Sequence, residues 1–257
     1  MSGETLPELV AIMRTLLGPK GCPWDKEQTL ESLRPYVVEE AHEVVDAIDK
    51  GDAEGLREEL GDLLFQIVFQ SELAAAQEWF GIDDVVAAIR DKMVRRHPWV
   101  FGDQTIDTAE GALDRWEAMK AKEKKDRGAL GGVPVALPAL LRALRVGEKA
   151  AAVGYDWPEA AGARAKVDEE LAEFDEAVRA DDREAMEAEL GDLLFALSSL
   201  ARKHSLDPEA ALRGSLGRFS RRFRHAELAA QERGGLRELD DEARDALWDD
   251  AKAAESS

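Results

Sequence analysis

A repeated acidic pattern constrains this chain more than anything else in it. Glu39-Glu40-Ala41-His42-Glu43 is followed by Glu59-Leu60-Gly61-Asp62-Leu63-Leu64-Phe65, and 130 residues further on stand Glu169-Glu170-Leu171-Ala172-Glu173 and Glu189-Leu190-Gly191-Asp192-Leu193-Leu194-Phe195. The acidic halves are equally spaced in both copies. Close to half of the positions in 39–65 and 169–195 are identical, the acidic ones among them, while many neutral surface positions differ. A chain of 257 residues with such a repeat reads as two domains. The Gly- and Pro-rich stretch 128–138 reads as a linker, with one domain over 1–127 and a second over 139–257.

The apolar residues recur at helical spacing throughout, and no segment shows the alternation of a strand, so the fold is expected to be all-α, with two tandem helical bundles. Helices are expected over 5–17, 29–49, 53–78, from Gly81 to Arg96, and over 108–126 in the first half. The second half repeats the plan over 138–152, 160–180, 182–204, 208–232 and 240–254. Asp25 or Thr29 is expected to cap the second helix. Val37, Ala41, Val44 and Ile48 form one apolar stripe, and Leu56, Leu60, Leu63, Leu64 and Ile67 another; both are expected to face inward. Their counterparts are Val167, Leu171, Phe174 and Val178, then Met186, Leu190, Leu193, Leu194 and Leu197. Glu39, Glu40 and Glu43 lie beside the first stripe, and Glu59 and Asp62 flank the second. Two antiparallel helices joined by the Gly51-Asp52 turn would bring these five carboxylates into one cleft.

A single acidic face is common on a solvated helix. Recurrence argues otherwise, and so does the lack of a lysine four residues after Glu59 or Asp62. Crowded carboxylates repel, and a cation relieves the repulsion. An all-oxygen set calls for a hard cation, Mg²⁺ or else Mn²⁺, rather than zinc. Without Glu-x-x-His motifs a di-iron or metal-storage bundle is disfavoured, and His42 is expected on the helix surface. A hard cation on a bundle suggests a phosphate ligand. Basic partners occur at matched places: Lys92 and Arg96, then Trp116 and Lys120, in the first half; Arg218 and Arg222, then Trp248 and Lys252, in the second. Each pair is spaced to share a helical face.

The formal net charge of −20 argues against a nucleic-acid polymer as partner. One cysteine, Cys22, permits no internal disulfide. With no signal-peptide pattern and no membrane-spanning run, the expected location is the cytoplasm.

Glu-Glu-x-x-Glu on one helix and Glu-x-x-Asp on the next resemble the signature of the all-α nucleoside triphosphate pyrophosphohydrolases, and the chain is similar to two-domain MazG proteins over nearly its whole length. Gly21-Cys22-Pro23-Trp24-Asp25, Gln28-Thr29, Arg95-Arg96-His97-Pro98 and Val153-Gly154-Tyr155-Asp156-Trp157 resemble further tracts of that family. The resemblance implies Mg²⁺-dependent hydrolysis of nucleoside triphosphates to monophosphate and pyrophosphate, in nucleotide-pool housekeeping or stress-related regulation, by a homodimer. It implies Glu40, Glu43, Glu59 and Asp62 as metal ligands of the first repeat, and Glu170, Glu173, Glu189 and Asp192 as those of the second. Glu39 and Glu169 are implied as general bases or outer partners of the ligands. Lys166, Arg218, Arg222 and Lys252 are implied as phosphate and nucleotide contacts, with Trp248 stacking on the base and Lys120 reaching in from the inter-domain segment. The sequence departs from the family pattern at Ala188, which follows Glu58 of the first copy by the repeat length, at Ala185 where a basic residue is usual, and at Trp99 where a second histidine is usual. The alternative is a non-catalytic helical module that binds nucleotide or metal in a regulatory role.

Overall fold

A computed structural model describes residues 5–123, 128–231 and 233–255, except for the side chains of 114, 117, 118 and 120–123. The chain divides into two compact units, Met1–Lys122 and Glu123–Ser257. The described residues contain helices and turns and no strand.

The first unit carries α1 (Leu6–Leu17), α2 (Pro23–Glu27), α3 (Arg34–Lys50), α4 (Ala53–Ala76), α5 (Ile82–Arg96), α6 (Pro98–Phe101) and α7 (Ala109–Glu123). Its core gathers Val10 and Met13 of α1, Leu33, Val68 and Phe69 of α4, and Ile82. Arg14 ties α1 to α4 through two bonds to the Glu72 carboxylate, 2.9 and 3.1 Å.

α3 begins at Arg34, five residues later than expected, and neither Asp25 nor Thr29 caps it. Pro35 explains the shift: without an N–H and with its ring against the preceding turn, proline is accepted in the first helical turn and not further in. Thr29 instead closes a separate turn, accepting from the Ser32 amide at 3.1 Å. Asp25 lies buried within the short helix α2.

The second unit carries α8 (Ala139–Ala151), α9 (Ala160–Ala180), α10 (Arg183–Lys203), α11 (Pro208–Gln231), a 3-10 turn (Leu236–Glu238) and α12 (Asp241–Glu255). The α3–α4 and α9–α10 hairpins are built alike. Gly51 ends α3 at φ 66°, a conformation that suits glycine, and Asp181 takes the same left-handed place after α9 at φ 53°. Asp52 then caps α4 by accepting from Gly55 N, and Asp182 caps α10 by accepting from the amides of Glu184 and Ala185. This shared turn fixes the register of each helix pair.

The apolar rows are not all turned inward. Leu60, Leu64 and Ile67 on α4 are exposed, as are Leu190, Leu194 and Leu197 on α10; Leu60 is 50% and Leu190 46% accessible. Ile48, Leu171 and Val178 are exposed as well, and Ala41 lies on the surface. The buried positions are instead Gln66, Val68, Phe69, Ser71 and Ala74 on α4, where Val68 and Phe69 join the core with α1, and Ala196, Ser198 and Ser199 on α10.

Asp156 ties the loop between α8 and α9 to the end of α10. Arg202 reaches it with bonds of 3.1 and 2.5 Å and Lys203 with one of 2.7 Å, while Lys203 also donates to the Trp157 carbonyl. Gly147 leaves room for the Arg202 side chain, which a Cβ there would crowd at 3.2 Å. The Arg202 hydrogen bonds hold the Asp156 carboxyl well below the usual carboxylate range. Its pKa is lowered on folding, so its contribution is present above the ordinary carboxylate pKa and is lost as pH falls below about 4. Asp156→Asn is expected to lower stability at pH 7 by about 2 kcal/mol, read by urea denaturation, with the gap from the parent closing as the pH is taken down towards acid.

Candidate active site

Each hairpin converges its carboxylates. One oxygen from each of Glu40, Glu43 and Glu59 lies within 4.8 Å of the others, and the same holds for Glu170, Glu173 and Glu189. Glu40 and Glu43 are three residues apart on α3, so they share a face, and Glu59 meets them from α4 across the turn. Asp62 is close enough to act on both Glu40 and Glu59. His42 lies on the exposed helix surface, as expected.

The electrostatics follow from this crowding. The Glu40 carboxyl is pushed above its ordinary range first by desolvation, then by the charges of Asp62, Glu43, Glu59 and Glu39. Glu59 is raised by desolvation and then by Glu43 and Asp62. Glu173 is raised by desolvation and by Glu170. All the converging atoms are carboxylate oxygens, so the donor set fits a hard divalent cation.

The copies differ in the charge one turn before the acidic pair. In the second, the Lys166 ammonium stands 2.8 Å from Glu169 and 2.7 Å from Glu170, whose side chain is almost wholly buried. These two carboxylates hold the Lys166 ammonium above its ordinary pKa, Glu169 foremost. The first copy has Tyr36 at the matched place, packed against the core and edge-on to Trp24 at 6.0 Å. The sequence shows Lys166 one turn before the acidic pair, but its engagement with both carboxylates is a product of rotamer and burial.

The basic and aromatic candidates form sets of their own. In the first unit, buried Arg96 lies over the Trp116 ring, 5.8 Å from its centroid, and Lys92 is half-buried one turn earlier. The side chain of Lys120 is outside the described residues. In the second unit α11 packs against α12, and the Trp248 ring lies 5.2 Å from Phe219. Arg218 is exposed on α11, and Lys252 pairs with Asp249 at 2.7 Å. Arg222 donates to Glu255 at 2.7 Å, and Arg221 reaches the same carboxylate at 3.3 Å. Arg222 therefore meets Glu255 and not the α9–α10 carboxylates. Neither Arg221 nor Glu255 stands out in the sequence, since their pairing crosses two helices.

A family model for the MazG nucleotide pyrophosphohydrolase domain matches residues 28–101 and again 161–227, spanning both carboxylate hairpins. The chain belongs to the MazG nucleotide pyrophosphohydrolase family. It is 41% identical to the nucleoside triphosphate pyrophosphohydrolase/pyrophosphatase MazG of Thermotoga maritima, over 100% of this chain and 99% of that protein. It is 41% identical to the nucleoside triphosphate pyrophosphohydrolase of Escherichia coli K12, over 97% of this chain and 98% of that one. The uncharacterized protein YabN of Bacillus subtilis is 42% identical over 95% of this chain, which corresponds to 51% of that longer protein. The twofold match of the MazG domain coincides with the two units of the fold.

Raised carboxyls favour the folded state at mildly acidic pH, and their charge works against it once they ionise. A divalent cation is expected to offset that repulsion at pH 7.5. Differential scanning fluorimetry with Mg²⁺ or Mn²⁺ should show a rise in Tm that shrinks as pH is lowered towards 5, where protons compete for the same oxygens. Glu43→Gln and Glu173→Gln should each remove part of the rise.

Proposed function

We propose that this MazG-family hydrolase cleaves nucleoside triphosphates to the monophosphate and pyrophosphate in a Mg²⁺-dependent reaction that serves nucleotide-pool housekeeping. The observation that carries the proposal is the pair of carboxylate sets, each drawn from two helices and each with oxygens within 4.8 Å of one another. The relatives' names point to the same substrate class.

Glu170, Glu173, Glu189 and Asp192 would hold the cation in the second repeat, and Glu40, Glu43, Glu59 and Asp62 in the first. When bound, Mg²⁺ supplies positive charge against the triphosphate and the leaving pyrophosphate. Glu169 takes the proton of the attacking water in the second repeat, and Glu39 has the matching place in the first. Lys166 orients Glu169 and offers an ammonium to phosphate oxygens. Arg218, Arg222 and Lys252 bind phosphate, and Trp248 stacks on the base. Lys92, Arg96 and Lys120 have the corresponding roles around the first repeat. The second repeat is the better equipped, because Lys166 stands at its carboxylates where the first has Tyr36.

The same reading assigns the chain to the cytoplasm, a reducing compartment that suits the unpaired Cys22. No helix of the described residues is long and apolar enough to cross a membrane. It also takes the active form to be a homodimer. The exposed rows Leu60/Leu64/Ile67 and Leu190/Leu194/Leu197 recur in both repeats, each on the helix that carries the Glu-x-x-Asp carboxylates. Gly61 and Gly191 lie inside these helices with open space where a Cβ would stand. Glycine in a helix interior costs up to about 1 kcal/mol relative to alanine, a cost that close approach of a second helix would offset.

Incubation with a nucleoside triphosphate and Mg²⁺ should release pyrophosphate as first product; orthophosphate released first would count against the reading. Glu170→Gln and Asp192→Asn are each expected to lower kcat by about 100-fold or more. If Glu40→Gln alone did so, the first repeat would be the catalytic one. For assembly, Leu194→Glu is expected to shift the mass measured by light scattering from dimer to monomer, and an unchanged mass would remove that row from the interface.

A further inference from the structure

The cleft between α11 and α12 contains an ion-pair arrangement that the acidic site does not explain. Arg221 and Arg222 are neighbours on α11, and both turn to one carboxylate, Glu255, in the last turn of α12. Arg222 Nε donates to Oε2 at 2.7 Å and Arg221 Nε to Oε1 at 3.3 Å. The two contacts use the inner nitrogens. A guanidinium gripped at Nε keeps its outer edge of Nη donors for another acceptor, and that edge matches the oxygens of a phosphate.

Charge and burial support this division. Two guanidiniums against one carboxylate leave the group net positive in a chain of net charge −20. Arg222 and Glu255 are each 26% exposed, so their contact is sheltered from water, whereas Arg221 is largely exposed. Together with His225, Ala251 and Ala254 they line a cleft of about 220 Å³. Trp248, Lys252 and Glu255 follow one another at helical spacing on α12, and the Trp248 ring meets Phe219 of α11. Glu255 thus shares a face with the two residues of α12 assigned to nucleotide binding.

We propose that Glu255 is a positioning residue for triphosphate binding, which holds Arg222, with Arg221 behind it, so that the outer edge of the guanidinium faces the incoming phosphates. The inference rests on the reading of Arg222 as a phosphate contact. A carboxylate that competed with phosphate would take the outer edge of the fork; Glu255 takes the inner one. The Glu255 carboxyl is held below its ordinary range, by the Arg222 hydrogen bond first, so it stays ionised at neutral pH and keeps its grip.

The experiment is steady-state kinetics on the full chain with a nucleoside triphosphate and Mg²⁺, paired with calorimetric binding of pyrophosphate in the presence of Mg²⁺. Glu255→Gln is expected to raise KM about 3- to 10-fold and weaken pyrophosphate binding by the same factor, with kcat and Tm nearly unchanged. Glu255→Asp should restore part of the loss. Arg222→Ala should raise KM further, and adding Glu255→Gln to it should bring no additional loss, because the carboxylate acts through that arginine. A KM that stays the same or falls in Glu255→Gln, or losses that add fully in the double variant, would overturn the proposal. If Arg222→Ala left both KM and pyrophosphate binding unchanged, it is the assignment of Arg222 to phosphate that fails.

Discussion

The repulsion among carboxylates on each helical hairpin is the constraint around which the rest is arranged. Glu40, Glu43 and Glu59, and again Glu170, Glu173 and Glu189, are brought together although like charges at this range oppose folding. Something must hold them there. In both units it is the same device: a left-handed residue after the first helix and an aspartate capping the second. Local backbone chemistry thereby fixes a crowded set of mutually repelling carboxylates.

The two copies differ in the residue that stands beside it. The second places a lysine among its own carboxylates, and the first places a tyrosine in the core instead. The basic and aromatic residues diverge in the same way. Arg96 is buried over Trp116 in the first unit, whereas in the second Arg222 meets Glu255 and Trp248 meets Phe219. A repeated architecture has thus been given two different charge environments, and among the described residues the second sets a cation directly against its carboxylates through Lys166.

The outward leucine rows recur at matched places on the second helix of each hairpin. Leu60 and Leu64 are exposed on α4 and Leu190 and Leu194 on α10, whereas Leu63 and Leu193 between them are half-buried. One helix thus carries both the carboxylates of the site and an apolar surface row.

The sequence by itself determined a good deal. Helical periodicity, the glycine and aspartate turns and the 130-residue repeat were enough to mark the hairpins, and the spacing of Glu39, Glu40 and Glu43 was enough to put them on one side. Those signals are local, and local signals survive in a one-dimensional reading. Periodicity shows which residues share a face, but not which face the chain's own helices cover; for that reason the leucine rows were expected inside and stand outside. The start of α3 lies later than the Asp25 and Thr29 capping signals suggest, because Pro35 is accepted only in the first turn of the helix. What only the tertiary structure decided are the pairings across elements: Asp156 with Arg202 and Lys203, and Arg221 and Arg222 with Glu255. Such contacts join residues tens of positions apart, and their energy depends on distance and burial in space, which no spacing along the chain records.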